Sequence, residues 1–207
     1  SEESSGSYTV TKKENITVEK PQSAENGTVS VTVGGENIPT GEDDISTEEQ
    51  TVTVDAKVTG ADSVTTAKVT VGGEALTAVQ NTSYSLAIDT DVGTLTVNSE
   101  ALRAIVDAAT DEDTDVVSAV TLGIQNTTAQ GAADTTATYE LTAIDTKGNE
   151  VFNSGNGGTI TVTVPQLTDG THYIYYLGAD GAELIAEAQP AEGYISWDAS
   201  HFSTYYI

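Results

Sequence analysis

Near its C-terminus, in "SWDASHFSTYYI", the chain carries Asp198, His201 and Ser203. These are the residue types of a hydrolytic triad, in which an imidazole oriented by a carboxylate takes the proton of a serine hydroxyl. Such a relay also needs oxyanion donors and a serine held on a sharp turn. No G-x-S-x-G occurs anywhere in the sequence. On an extended strand, moreover, His201 and Ser203 point to one face and Phe202 to the other. The spacing therefore predicts a closing strand, with Phe202 and Tyr206 entering a core while His201 and Ser203 hydrogen-bond locally. No enzyme is expected.

Acidic residues offer two other chemistries. A pair of carboxylates can hydrolyse a glycoside, but only where burial tunes one of them upward, and most of these acids lie in polar loops. "DEDTD" places Asp111, Asp113 and Asp115 at the first, third and fifth positions of a calcium loop. The glycine required at the sixth is Val116 and the bidentate glutamate required at the twelfth is Leu122. Calcium is thus a candidate for this loop, no other cofactor is indicated, and no residue is assigned as a metal ligand.

Aromatic side chains are the best case for a ligand. Eight of the twelve fall between Tyr173 and Tyr206, and sugars stack on exposed rings. Trp197 and Tyr194 are the candidate platform for a polysaccharide. The competing reading is that these rings fill a core, since "HYIYYL" is bulky on both faces as a central strand would be.

Composition narrows the partners. Seven basic residues against thirty-two acidic ones leave a net charge of -25, which repels phosphate backbones and anionic lipid. Nucleic acid is excluded as a partner, and no apolar run reaches the length of a membrane span, so no membrane insertion is expected. Cysteine is absent, which removes disulfides and thiolate chemistry. Methionine is absent as well, and we expect a chain processed or cut from something longer. An acidic, Thr- and Gly-rich chain of this kind fits an extracellular or cell-surface location.

The elements that would position these residues are mostly strands. "VTVGGE" occurs twice, at 31–36 and 69–74, and "TLTVNSEALRAIV" at 94–106 is a third relative. A Gly-Gly after a strand can cradle an anion, but no GK[ST] or G-x-G-x-x-G accompanies it. Duplication is the better reading: a strand, a tight turn, then a short helix. In the third copy Ser99 is the expected N-cap of a helix whose Leu102, Ile105 and Val106 share one face. Beyond it, strands alternate with turns at Lys147-Gly148-Asn149, Asp169-Gly170 and Asp180-Gly181. Residues 1–27 form an extended polar arm in which Tyr8 and Val10, then Ile16 and Val18, alternate as strands do. Such an arm can add to the sheet edge of a neighbour. Lys57 and Lys68 are candidates for an isopeptide bond to an asparagine, which would require burial.

Three pieces then carry a family likeness: "TLTVNSEALRAIVDAA", "GNGGTITVTVP" and the ending "YIYYLGADGAELIAEAQPAEGYISWDASHFSTYYI". From about residue 51 onward the chain resembles a β-rich module of large surface-anchored proteins of Gram-positive, mostly anaerobic bacteria, often found beside S-layer-homology repeats. The HFSxYxI ending is the most specific part. The resemblance implies a non-catalytic extracellular module, with the position of Trp197 in the core. The chain departs from the pattern in its N-terminal arm, and it shows neither an S-layer-homology repeat nor an LPxTG signal.

The expectation is an all-β fold: a β-sandwich (Ig-like or jelly-roll-like) over 28–207, with one or two short helices and an extended arm over 1–27. Its expected role is structural or adhesive at a bacterial cell surface, as a self-assembling, pilus-like fibre subunit joined by strand donation through Tyr8, Val10, Ile16 and Val18. Its expected partners are copies of itself, other surface proteins or a polysaccharide. The alternative is a carbohydrate-binding module that uses the C-terminal aromatics.

Overall fold

A computed structural model describes residues 14–16, 25–37, 51–58, 63–82, 84–153 and 157–207. Thirteen strands among them form two sheets. In chain order they are β1 (Glu14–Ile16), β2 (Thr28–Val33), β3 (Thr51–Asp55), β4 (Thr66–Val71), β5 (Ser85–Asp89), β6 (Thr94–Val97), β7 (Val120–Asn126), β8 (Thr138–Asp145), β9 (Ile160–Pro165), β10 (His172–Gly178), β11 (Gly181–Ala188), β12 (Tyr194–Ala199) and β13 (Thr204–Tyr206). The six-stranded sheet runs β1-β3-β5-β6-β9-β12, and the seven-stranded sheet runs β11-β10-β13-β8-β7-β4-β2. The fold is an all-β sandwich, as the spacing of short alternating strands predicts.

Period-two patterning builds the core. In β2 the three valines Val29, Val31 and Val33 are buried while Ser30 and Thr32 face water. In β12 the buried set is Ile195, Trp197 and Ala199. Because successive side chains point to opposite faces, such strands give each sheet one apolar side, and the two sides meet in a single hydrophobic cluster.

Strand direction divides the molecule. Toward the N-terminus, β1 pairs with β3, β3 with β5, and β2 with β4, all parallel. The remaining ladders are antiparallel. Parallel neighbours cannot be joined by a tight hairpin, and here each return passes through the other sheet. The two VTVGGE copies lie side by side in register, Val31 opposite Val69 and Val33 opposite Val71. The same 38-residue offset relates Glu14 to Val52 in the other sheet. The duplication is therefore structural: each unit supplies one strand to each sheet. Three residues of the expected arm, Glu14–Ile16, belong to the first unit as β1, whereas Tyr8, Val10 and Val18 lie outside the described residues.

Two helices follow the repeat. Helix α1 (Gly73–Thr82) leads from β4 to β5 and buries Ala75, Leu76 and Val79. Helix α2 (Ser99–Ala109) leads from β6 to β7 and buries Leu102, Ile105 and Val106. Both cross between the sheets and pack on each other, so they close one end of the sandwich. The first VTVGGE copy continues only into a 3-10 turn, Gly35–Asn37. The N-cap of α2 is Asn98, one residue before the expected Ser99: its Oδ1 accepts the N–H of Ala101 at 2.8 Å. Asn98 also exchanges hydrogen bonds with Thr159 at the start of β9, a tie that serine is too short to make as well.

Glycine is needed where α1 begins. A Cβ on Gly73 would stand 1.9 Å from the carbonyl oxygen of Val117, whereas one on Gly170 would meet nothing within 4 Å. We expect Gly73→Ala to lower stability by about 1–3 kcal/mol or more through overpacking. Gly170→Ala should stay within about 0.5 kcal/mol of the parent. Urea midpoints of the two variants check this.

Candidate functional site

The closing segment is two strands rather than one. β12 ends at Ala199 in the six-stranded sheet, Ser200–Ser203 bends across, and β13 resumes at Thr204 in the other sheet. His201 and Ser203 therefore do not share a strand face, as the sequence reading supposed. Asp198 lies on an outer face and accepts a hydrogen bond from Thr161 Oγ1 at 2.7 Å. The His201 ring stands edge-on to Tyr176 at 4.4 Å, with Nδ1 3.4 Å from Ser200 Oγ. Ser203 serves through its backbone, its carbonyl accepting the N–H of Leu141 at 2.9 Å. No described hydrogen bond joins Asp198, His201 and Ser203, so the proton relay of a triad is missing.

The bend has a packing purpose. Phe202 enters the core and meets Phe152 edge to face at 5.3 Å. The residue used in the bend shifts the inward phase by one, so that Tyr205, and not Tyr206, is buried. The Tyr205 hydroxyl donates to the His201 carbonyl at 2.5 Å. Burial pushes its phenol well above the usual tyrosine range, with Tyr176 adding to the effect.

The proposed sugar platform divides in the same way. Trp197 is only 3% exposed and packs against Tyr205 at 5.8 Å; its ring is core and cannot receive a sugar. Its Nε1 finds no partner, a cost of roughly 1–3 kcal/mol outweighed by burial of so large an apolar ring. Tyr194 would need to share Trp197's face to form the expected pair, but it stands three residues earlier, an odd offset that alternation puts on the opposite face. It lies instead on the outer face, 47% exposed.

The acidic loop is held by its own backbone. Asp111 Oδ1 accepts the N–H groups of Asp113 and Thr114 at 2.8 and 3.1 Å. Lys147 Nζ lies 3.8 Å from Asp111 Oδ2. Asp145 closes the neighbouring turn in the same manner, accepting the N–H groups of Asn149 and Lys147, each at 2.9 Å. These bonds favour the charged form, so both carboxyls sit below the ordinary aspartate range: Asp111 chiefly through Asp113, Asp145 chiefly through Asn149. Among the described residues no group of three or more His, Asp or Glu side chains comes together as a metal would require. Of the three aspartates of the calcium candidate, Asp111 already has both oxygens engaged, Oδ1 by backbone amides and Oδ2 by Lys147.

The Gly-Gly turns are likewise used internally. Gly72 N–H donates to the Val33 carbonyl at 2.9 Å, and the Gly72 carbonyl accepts from Leu76 N–H, which nests one repeat on the other. Neither lysine considered for an isopeptide bond is buried: Lys68 is exposed on β4, and Lys57 pairs with Asp89 at 3.5 Å near the surface. Sequence reasoning passed over His172, which is 4% exposed. Its Nε2 accepts the N–H of Leu167 at 3.0 Å and its Nδ1 donates to the Gly170 carbonyl at 2.8 Å, so it clamps the turn between β9 and β10. The Asp-Gly-Thr-His run was the available signal.

Among the described residues the exposed large apolar side chains are Val116 in the acidic loop and six on the C-terminal strands of both sheets. Tyr173, Leu177, Leu184, Ile185, Tyr194 and Tyr206 all lie on β10–β13. No family model, curated protein or solved structure matches this chain.

Two measurements follow from this geometry. Trp197 should emit at the short wavelengths of a buried indole and resist quenching by iodide; long-wavelength, quenchable emission from the native protein would contradict its burial. Asp111 and Asp145 should titrate by carboxyl NMR below the ordinary aspartate value of about 3.9. A depressed folded-state pKa supports the fold above the unfolded value and loses that support as pH falls through the folded one. The turns at 111–116 and 145–149 should therefore loosen only below that range.

Proposed function

We propose that this chain is a non-catalytic structural or adhesive protein of a bacterial cell surface, and that it assembles into a fibre by donation of its N-terminal strand. One observation carries the reading: β1 is a three-residue strand laid parallel on the edge of the six-stranded sheet, registered Glu14 to Val52 and Ile16 to Val54. A strand added to an edge bonds through its backbone, and the same groove accepts it from the same chain or from another copy. Beside it, β2 ends the seven-stranded sheet among the described residues. Its sequence TVSVTV has no charge, proline or glycine, and so lacks the usual devices that keep an edge from pairing.

The extracellular setting rests on the resemblance of residues 51–207 to surface modules, on the missing cysteine and on the acidity of the chain. No described helix is long and apolar enough to cross a membrane. The charge also sets the conditions of assembly. Copies bearing -25 each repel at low ionic strength, and salt shortens that repulsion to about 10 Å at 0.1 M.

Electron microscopy and light scattering test the reading. Particles much larger than one chain should form at moderate salt and grow less in its absence. Deletion of residues 1–27 should abolish them, and an excess of a free peptide spanning 1–27 should shorten those formed by the intact chain. A chain that stays monomeric throughout, or fibres indifferent to both deletion and peptide, would overturn it.

A further inference from the structure

We propose that the outer face of the seven-stranded sheet binds a neutral polysaccharide chain laid across the strands. The site is distinct from the Trp197 and Tyr194 pair, and it does not depend on assembly. It begins as a trough of about 480 Å³ over β8, β7, β4 and β2, lined among others by Thr32, Lys68, Gln125, Glu140 and Thr142. Gly123 forms its floor. A Cβ there would come within 2.5 Å of Thr142 Oγ1, so a side chain at this place would fill the depression.

The lining is chemically matched to a polyol. Threonine and serine hydroxyls, one amide, one amine and one carboxylate supply both donors and acceptors. Thr70 and Thr121 already pair through their hydroxyls at 2.8 Å, showing how closely these groups are set. Among the described residues Lys68 and Glu140 are the only charged ones lining the trough, and their charges cancel. On a chain of net charge -25 that local neutrality matters: it removes the repulsion an anionic polymer would meet elsewhere, yet offers no positive field to hold one. A neutral chain with hydroxyls along its length fits best.

An aromatic platform continues the trough. Thr204 stands opposite Glu140, and Tyr206 opposite Thr138, across the β13–β8 ladder. Tyr206 in turn stands opposite Tyr175, and Tyr175 opposite Leu184. The Tyr175 and Tyr206 rings lie 6.4 Å apart at 47°, with Tyr206 exposed. Tyr173 and Tyr175, two apart on β10, share the outer face, and the register shift that passes over Ile185 of β11 brings Leu184 opposite Tyr175. From β2 to β10 the face spans five strand spacings, about 24 Å, the reach of an oligosaccharide rather than a single sugar. Stacking rings at one end and hydrogen-bonding groups at the other are the two interactions by which proteins hold sugars, here arranged in one line.

Affinity electrophoresis of the full chain tests this, in gels containing soluble β-1,3-glucan, xylan, mannan or galactan, with alginate as the anionic control. At least one neutral polymer should retard the protein and alginate should not. Tyr206→Ala should weaken the interaction about tenfold, and Thr32→Arg, which fills the trough from an exposed position, should abolish it. Tyr194→Ala, on the other sheet's outer face, should leave it unchanged. Trp197 emission reports that each variant is folded. No retardation by any of the four polymers, retardation by alginate alone, or loss through Tyr194→Ala with Thr32→Arg unaffected would each overturn the proposal.

Discussion

Everything on the N-terminal side of this molecule depends on the in-register pairing of two copies of one strand. Val31 lies against Val69 and Val33 against Val71, which keeps both valine sets facing the same core. A slip of one residue would turn all of them to water. The glycine pair that ends each copy makes the stacking complete. It lets the second turn donate to the first through Gly72, and lets α1 begin against the carbonyl of Val117. Because each 38-residue unit contributes to both sheets, two parallel edges, β1 and β2, end the sandwich on the same side. The antiparallel remainder is then laid on from β5 and β4 onward.

Charge is handled locally rather than by ion pairing. With so few cations, the acidic turns are held by backbone N–H groups: two donate to Asp111 and two to Asp145. A carboxylate bound in this way remains ionised and keeps its repulsive charge at the surface. The core carries no share of it, since the buried polar residues are Thr66, Ser85, Thr90 and His172. The outcome is a neutral, apolar core inside a strongly negative shell.

Much of this was legible from the residues. Alternation marked the strands, Asp180-Gly181 marked the β10–β11 hairpin, and Leu102, Ile105 and Val106 marked the buried face of α2. What alternation cannot show is where its phase breaks. The bend at Ser200–Ser203 consumed a residue and exchanged Tyr206 for Tyr205 in the core. The bulge opposite Ile174/Tyr175 broke the phase of β11, where Ile185 has no partner in the register. Asn98 took the cap from Ser99 because of Thr159, a partner sixty-one positions away. The candidate sites suffered most: a trough made by β2, β4, β7 and β8 has no sequence-local signature, since its members meet only through strand order. For Trp197, however, the simple period of YISWDA did place the indole with Ile195 and Ala199, on the inner side.

Edges and faces also separate two kinds of binding. A strand added at β1 or β2 uses backbone groups that point along the sheet, whereas the trough and tyrosines point away from it. Continuing the sheets through their edges would therefore leave each outer face open and repeat it once per subunit. A shallow, hydroxyl-lined face holds a single sugar chain weakly, because each hydrogen bond made to the ligand replaces one made to water. Repetition changes that balance. Linked sites raise avidity without any new contact, provided that one polymer can reach several of them. A fibre of such subunits and a long neutral glycan meet that geometric condition. In such a fibre the openness of the face to water would allow many copies to engage and release one at a time.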